Sequence, residues 1–190
     1  MAYSQKKNIV RLVFYLLLTI TVMTTVIYGS VSIVVQTVYP KDYADIIEST
    51  AEEFNIDKPL LYALVKTESG FDKEAVSEVG ARGLTQITPE TFEWLQTKTG
   101  ESYTYDALDE PEISVYYGAY FLSMLIEEFG NTETALAAYH AGRGIVNQWL
   151  NDPRYSDDGE TVERIPYKDT AAYVKKVMKN CEIYRSIYDF

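Results

Sequence analysis

The sequence predicts an all-α protein in which one apolar N-terminal helix, long enough to span a bilayer, precedes a helical domain. Three observations carry this reading. Leu12 to Val35 runs 24 residues without a charge. Downstream, apolar residues recur at three- and four-residue spacing between recognisable helix starts and stops. No alternating strand pattern of useful length occurs, and neither does an internal repeat or a low-complexity segment.

The first stretch, as a helix, spans roughly 36 Å, enough to cross a bilayer with some tilt. Lys6, Lys7 and Arg11 precede it, and Lys41 and Asp42 follow it. The positive flank is expected to stay cytoplasmic and to send residues 41–190 outside. A cleaved signal peptide is the second reading, with Gly29, Ser30 and Ser32 near a possible cut. The uncleaved anchor is preferred because a signal's apolar core is normally only about 7–15 residues.

Tyr39-Pro40 breaks the run. Tyr43, Ile46, Ile47, Ala51 and Phe54 then mark an amphipathic helix whose other face carries Asp45, Glu48, Glu52 and Glu53. A short helix follows from Leu60, with Asp57 as its N-cap, Pro59 in its first turn and Gly70 as its stop. Two glycines, Gly80 and Gly83, then bend a loop that runs to Gln86. Thr88, Pro89 and Glu90 open the next helix, which stops at Gly100. Ile113 to Phe129 is apolar or aromatic nearly all round, so that helix must be surrounded. Gly130 ends it, and another helix starts behind Asn131 or Thr132. Ile145 to Leu150 forms a short helix and Asn151 to Glu160 a surface loop. Tyr173, Val174, Val177, Cys181, Tyr184 and Tyr188 line the last one.

Composition bounds the function. The chain has 190 residues, about 150 of them outside the apolar stretch, the usual size of a single core. From Lys41 onward 14 Lys and Arg face 28 Asp and Glu, a net charge of −14. With no long basic cluster, nucleic acid is not an expected partner. A single cysteine, Cys181, allows no internal disulfide, and its helical spacing reads as a buried small residue. A single histidine, His140, argues against a zinc site of the His/Cys type.

The chemistry concentrates at Glu68, which falls four after Leu64 and three after Val65, on the apolar face of its helix. Apolar neighbours and the negative end of the helix dipole both push its pKa up. A carboxylic acid still protonated near neutral pH is what a glycoside-cleaving general acid requires. The competing reading is a helix-end glutamate curled out to water. From this stretch alone the solvated reading stands ahead.

Four segments change that balance. Glu68-Ser69-Gly70-Phe71, Gly80 to Pro89, Ala137-Ala138-Tyr139-His140-Ala141-Gly142, and Ile165-Pro166-Tyr167 with Thr170, Tyr173 and Val174 together resemble, in order and spacing, the soluble-type (SLT) lytic transglycosylase domain. That family shares its lysozyme-like fold with goose-type lysozyme. The resemblance covers about residues 43–185 and leaves out the anchor. With the apolar stretch and its charged flanks, the expected organisation is a short cytoplasmic N-terminus over 1–11, a transmembrane anchor over 12–35 and a linker over 36–42, and the resemblance adds a catalytic domain over 43–190.

The resemblance also implies a function. Glu68 would be the single acid/base cleaving the β-1,4 bond between N-acetylmuramic acid and N-acetylglucosamine of peptidoglycan, leaving a 1,6-anhydro end. No metal or cofactor is implied, and protein partners are unspecified. Gln86 matches a substrate-binding residue, and Tyr139 and Tyr173 match hydroxyls that orient the acid. Ser69 is either a substrate residue beside the acid or a helix-end hydroxyl bonded to backbone. Thr85 stands where the family usually has methionine, and is expected to weaken the platform under a sugar. His140 replaces asparagine and adds a pH-sensitive group beside the cleft. Asp169 replaces a glutamate. Asp72, Glu74 and Glu78 are the fallback carboxylates for a hydrolase on the same fold, and a non-catalytic glycan-binding module is the other alternative.

Overall fold

The computed structural model describes the backbone from Ala2 to Phe190 and the side chains from Arg11 onward. Lys6 and Lys7, two of the cations expected to set the orientation of the N-terminal helix, lie outside the described side chains. The chain divides into two compact units, Met1–Lys41 and Asp42–Phe190.

The first unit is helix α1, Ala2–Val38. Its segment Arg11–Val38 has a mean hydropathy of 2.0 and is the one described helix long and apolar enough to cross a membrane. Within it the hydroxyls of Thr19, Thr21, Thr24, Thr25 and Thr37 donate to carbonyls three or four residues back. These polar groups are thereby satisfied inside the helix, as an apolar surround demands.

The second unit holds α2 (Ala44–Glu53), α3 (Lys58–Glu68), α4 (Pro89–Thr99), a 3₁₀ helix (Tyr105–Asp109), α5 (Pro111–Phe129), α6 (Thr132–Ala141), α7 (Arg143–Leu150) and α8 (Lys168–Ile187). Among the described residues the only bridges are Val76 with Arg82 and Arg82 with Ile87, so the all-α expectation holds. Signals read from the sequence work physically. Thr88 Oγ1 accepts from the Thr91 amide, Asn131 Oδ1 accepts from the Thr134 amide, and Gly100 and Gly130 end their helices in the left-handed region.

Two local expectations change. Tyr43 does not join the α2 face: it sits before the helix at φ 58°. Asp57 holds the N-cap position of α3 but makes no side-chain cap bond; its carboxylate reaches Arg185 at 2.5 Å instead. An opposite charge on α8 outcompetes the backbone amides for that carboxylate.

Helix α3 is the axis of the unit, buried from Pro59 to Val65, and packs most extensively on α8. Tyr62 is fully buried and stacks on Tyr184 at 5.3 Å. Helix α5 contacts α2, α6 and the 3₁₀ helix, with only Glu112, Glu127 and Glu128 exposed along its length, so it is surrounded as its sequence requires. The Gly80–Gln86 loop is seated on this frame. A Cβ on Gly83 would collide with the Leu108 carbonyl and the Ser114 hydroxyl, so only glycine lets the loop come this close, and its φ of 79° suits glycine as well. Tyr105 Oη donates to the carbonyls of Gly80 (2.5 Å) and Ile87 (2.8 Å), and Arg82 pairs with Asp109 through two hydrogen bonds.

Candidate active site

Glu68 is the last residue of α3, where the helix gives way to Ser69, Gly70 at φ 62° and Phe71 at φ 70°. This abrupt turn leaves the half-buried carboxylate at the end of a buried helix. Tyr173, five residues into α8 and 8% exposed, donates its hydroxyl to Glu68 Oε1. Burial pushes the Glu68 carboxyl up to about 7, against the opposing Tyr173 hydrogen bond and the charge of Lys176. Asp72, Glu74 and Glu78 all lie exposed in the following loop, and Asp72 accepts from the Glu74 amide.

Tyr139, near the end of α6, donates to the Thr85 carbonyl at 2.8 Å, and its own ionisation is pushed well above the usual phenol range by burial and by Glu68. Tyr173 is raised in the same way. Both phenols are therefore neutral donors. His140 follows on α6, its ring 4.4 Å from that of Tyr173 and its Nδ1 3.1 Å from the Thr170 hydroxyl. Burial holds His140 below the ordinary imidazole value, with Asp169 opposing, so the ring is uncharged at neutral pH. The structure thus brings Glu68, Tyr139, His140 and Tyr173, scattered over more than a hundred residues of sequence, to one place.

Gln86 closes the Gly80–Gln86 loop at φ 51°, with Nε2 donating to the carbonyls of Ala75 (3.0 Å) and Gly83 (2.9 Å). Its amide nitrogen is spent on holding the loop, and its Oε1 accepts no hydrogen bond among the described residues. Ser69 Oγ donates to the Leu84 carbonyl at 2.9 Å and accepts from the Phe71 amide at 3.1 Å, the local backbone bonding of a helix-end hydroxyl. It fastens the end of α3 to the loop that carries Gln86.

Thr85 requires a correction. Its side chain has no exposed surface; it donates to the Ser114 carbonyl at 2.7 Å and packs against Gly118 of α5. It cannot form or weaken a platform under a sugar, because it points into the protein. The small Thr85 and the absent side chain at Gly118 fit together.

Sequence reading missed Lys176, whose charge acts on Glu68, and Thr170 as the partner of His140. Lys176 lies three after Tyr173, the spacing that shares a helix face, and that was the available signal. Cys181 is buried with its thiol pushed up to about 11, chiefly by burial, which suits a packing residue and not a nucleophile. Helix α3 is further tied to α8 by Asn180, which donates to Thr67 at 3.0 Å.

The chain is 33% identical over 155 residues to the soluble lytic murein transglycosylase of Salmonella typhimurium and 32% identical to that of Escherichia coli, the alignment covering 77% of this chain and 23% of each relative. It is 34% identical over 137 residues to the transglycosylase of Enterobacteria phage PRD1, covering 72% of this chain and 42% of that one. Among solved structures, lytic transglycosylase Slt of Pseudomonas aeruginosa, determined as an inactive mutant, superposes with a TM-score of 0.70 at 30% identity, covering 80% of this chain and 25% of the other. The chain therefore spans about a quarter of the soluble relatives it matches. The family described as Transglycosylase SLT domain matches residues 45–161, from α2 through the loop after α7 and stopping short of α8 and Tyr173. By that match, over more than half its length, the chain belongs to the transglycosylase SLT domain family.

Proposed function

We propose that the protein is a peptidoglycan lytic transglycosylase, cleaving the β-1,4 bond between N-acetylmuramic acid and N-acetylglucosamine with Glu68 as its acid/base. The observation that carries this is the half-buried Glu68 carboxyl, pushed up to about 7 by burial and held by a neutral tyrosine.

In this reading protonated Glu68 donates to the glycosidic oxygen as the C1–O bond breaks. The resulting carboxylate then takes the proton from the C6 hydroxyl of the muramic acid, whose oxygen bonds to C1 and closes the 1,6-anhydro ring. Atoms balance without water, and no metal or cofactor is called on. Tyr173 aims the carboxylate, Tyr139 stands by as a second neutral phenol, and Gln86 Oε1 and the His140 edge face the substrate as polar contacts. The relatives' printed names, murein transglycosylases, support the substrate class.

The N-terminal helix is read as a single-pass tether, with the catalytic unit outside the cytoplasmic membrane. A tether would confine wall cleavage to the membrane surface, and relatives from Alkalilimnicola ehrlichii and Maricaulis maris are named membrane-bound lytic murein transglycosylases.

The test is mass spectrometry of fragments released from peptidoglycan by the full-length chain in detergent, with Glu68→Gln alongside. Anhydro ends produced by the wild type alone are expected. Reducing ends would identify a hydrolase and require a second carboxylate, while no release from either protein would leave a glycan-binding module.

A further inference from the structure

We infer that His140 is a positioning residue for Glu68, acting on it through Tyr173, and that proton uptake by the His140 ring switches cleavage off at acid pH. This rests on the glycan-cleaving reading above and adds an acid limit to it, so that activity is confined to a window of pH.

The geometry gives His140 a two-point seat on α8. Its ring lies 4.4 Å from that of Tyr173 at an interplanar angle of 33°, and its Nδ1 is 3.1 Å from Thr170 Oγ1. Thr170 and Tyr173 are three residues apart, the spacing that shares a helix face, and both are buried. Tyr173 in turn donates its hydroxyl to Glu68 Oε1. Imidazole, phenol and carboxyl therefore form one chain of contacts from α6 through α8 to α3. His140 is exposed and its Nε2 makes no hydrogen bond among the described residues, so the ring exchanges protons with solvent without leaving its seat.

The charged and titratable groups around the ring come from each neighbouring element. Asp169 and Tyr173 lie on α8 with Lys176 beyond them, Glu68 closes α3, Tyr139 adjoins on α6, and Arg143 opens α7, where Glu128 of α5 holds it at 2.7 Å. Asp169 favours the charged ring and burial outweighs it, so His140 stays uncharged until the pH falls below the ordinary imidazole value. A charge gained there acts twice on the same step. A cation beside the pair favours the Glu68 carboxylate, whereas proton donation begins from the acid. It also repels the positive charge that develops on the sugar as the glycosidic bond breaks. Both effects lower the rate, and neither operates while the ring is neutral. Asparagine, usual at this position in the family, takes up no proton in this range.

The test uses the full-length chain in detergent without a histidine tag. His140 is its one histidine, so a single Cε1–H resonance reports the ring's titration by NMR. Anhydro-end release is followed from about pH 4 to about pH 9, with thermal melts at each pH to separate loss of activity from unfolding. The wild-type rate should fall about tenfold per pH unit below the His140 midpoint. His140→Asn, normalised to its own rate at neutral pH, should lose this acid limb and keep the alkaline one. A histidine that served only as packing would leave the limb in place and scale the whole Asn profile evenly. That result overturns the proposal, as does a wild type with no acid limb or with one away from the His140 midpoint. His140→Arg supplies a second readout that needs no cleavage, because its fixed charge should lower the Glu68 carboxyl titration, followed by its Cδ resonance, by about one pH unit. An unmoved Glu68 midpoint also overturns the proposal. If the wild type releases no anhydro ends at any pH, the cleavage reading fails, while the Glu68 midpoint in His140→Arg still decides whether His140 acts on Glu68.

Discussion

At the scale of a residue, Glu68, the proposed acid/base, also sets part of the stability, with a definite sign. Its folded pKa, about 7, lies above the 4.5 of an unperturbed glutamate. The folded state therefore binds the extra proton between those values, and its contribution to stability is full below about 4.5 and lost as pH rises through about 7. The move converts to roughly 3 kcal/mol, trimmed to about 2 by partial exposure. Glu68→Gln cannot ionise, so its stability relative to wild type should improve by about 2 kcal/mol between about pH 4 and about pH 8, read by denaturant melts. An unchanged gap would mean a solvated Glu68. Activity that begins from the protonated acid should fall as pH rises through about 7. Tyr173→Phe removes a hydrogen bond that lowers the Glu68 pKa, so this alkaline limb should move to higher pH while kcat drops about tenfold or more. A Tyr173 that served only as packing would leave the limb in place.

At the scale of an element, the decisive contact is between the Gly80–Gln86 loop and α5. Thr85 enters the space left by Gly118, and a Cβ there would overlap the Thr85 side chain. Gly118→Ala should therefore destabilise the fold by about 2–3 kcal/mol, a fall of roughly 5–10 °C in Tm. Thr85→Met, which restores the residue usual in the family, should also lower Tm, because the larger side chain meets the same α5 backbone. A neutral or stabilising Thr85→Met, measured by thermal melts, would contradict the buried placement. The loop was legible as a loop from Gly80 and Gly83. Its attachment was not, because Tyr105, Asp109 and Ser114 reach it across 18 to 29 residues of chain.

At the scale of the whole molecule, α1 and the domain obey different physics. Every described side chain from Arg11 to Val34 is exposed in the protein alone, an arrangement that costs heavily in water and nothing in lipid. Full-length protein should therefore sediment with membranes and resist extraction by salt or alkali. A chain lacking residues 2–38 should be released, as read by fractionation. A reporter fused after Phe190 should be active only if folded outside the cytoplasm, as the flanking cations predict.

What the sequence by itself determined is what depends on neighbours along the chain: helix periodicity, the stops at Gly70, Gly100 and Gly130, the apolar span, and the motif segments with Glu68 among them. Each follows from backbone geometry or local composition, so each can be read in one dimension. What only the tertiary structure decided is where side chains meet across distant segments. Tyr173 meets Glu68 across 105 residues, Ser69 and Thr85 turn inward to backbone partners, and Asp57 exchanges its cap for Arg185. The acidity of Glu68 is of the second kind. Apolar spacing along α3 supplied its direction, but desolvation is set by all the atoms that surround the carboxylate, and most of those come from elsewhere in the chain.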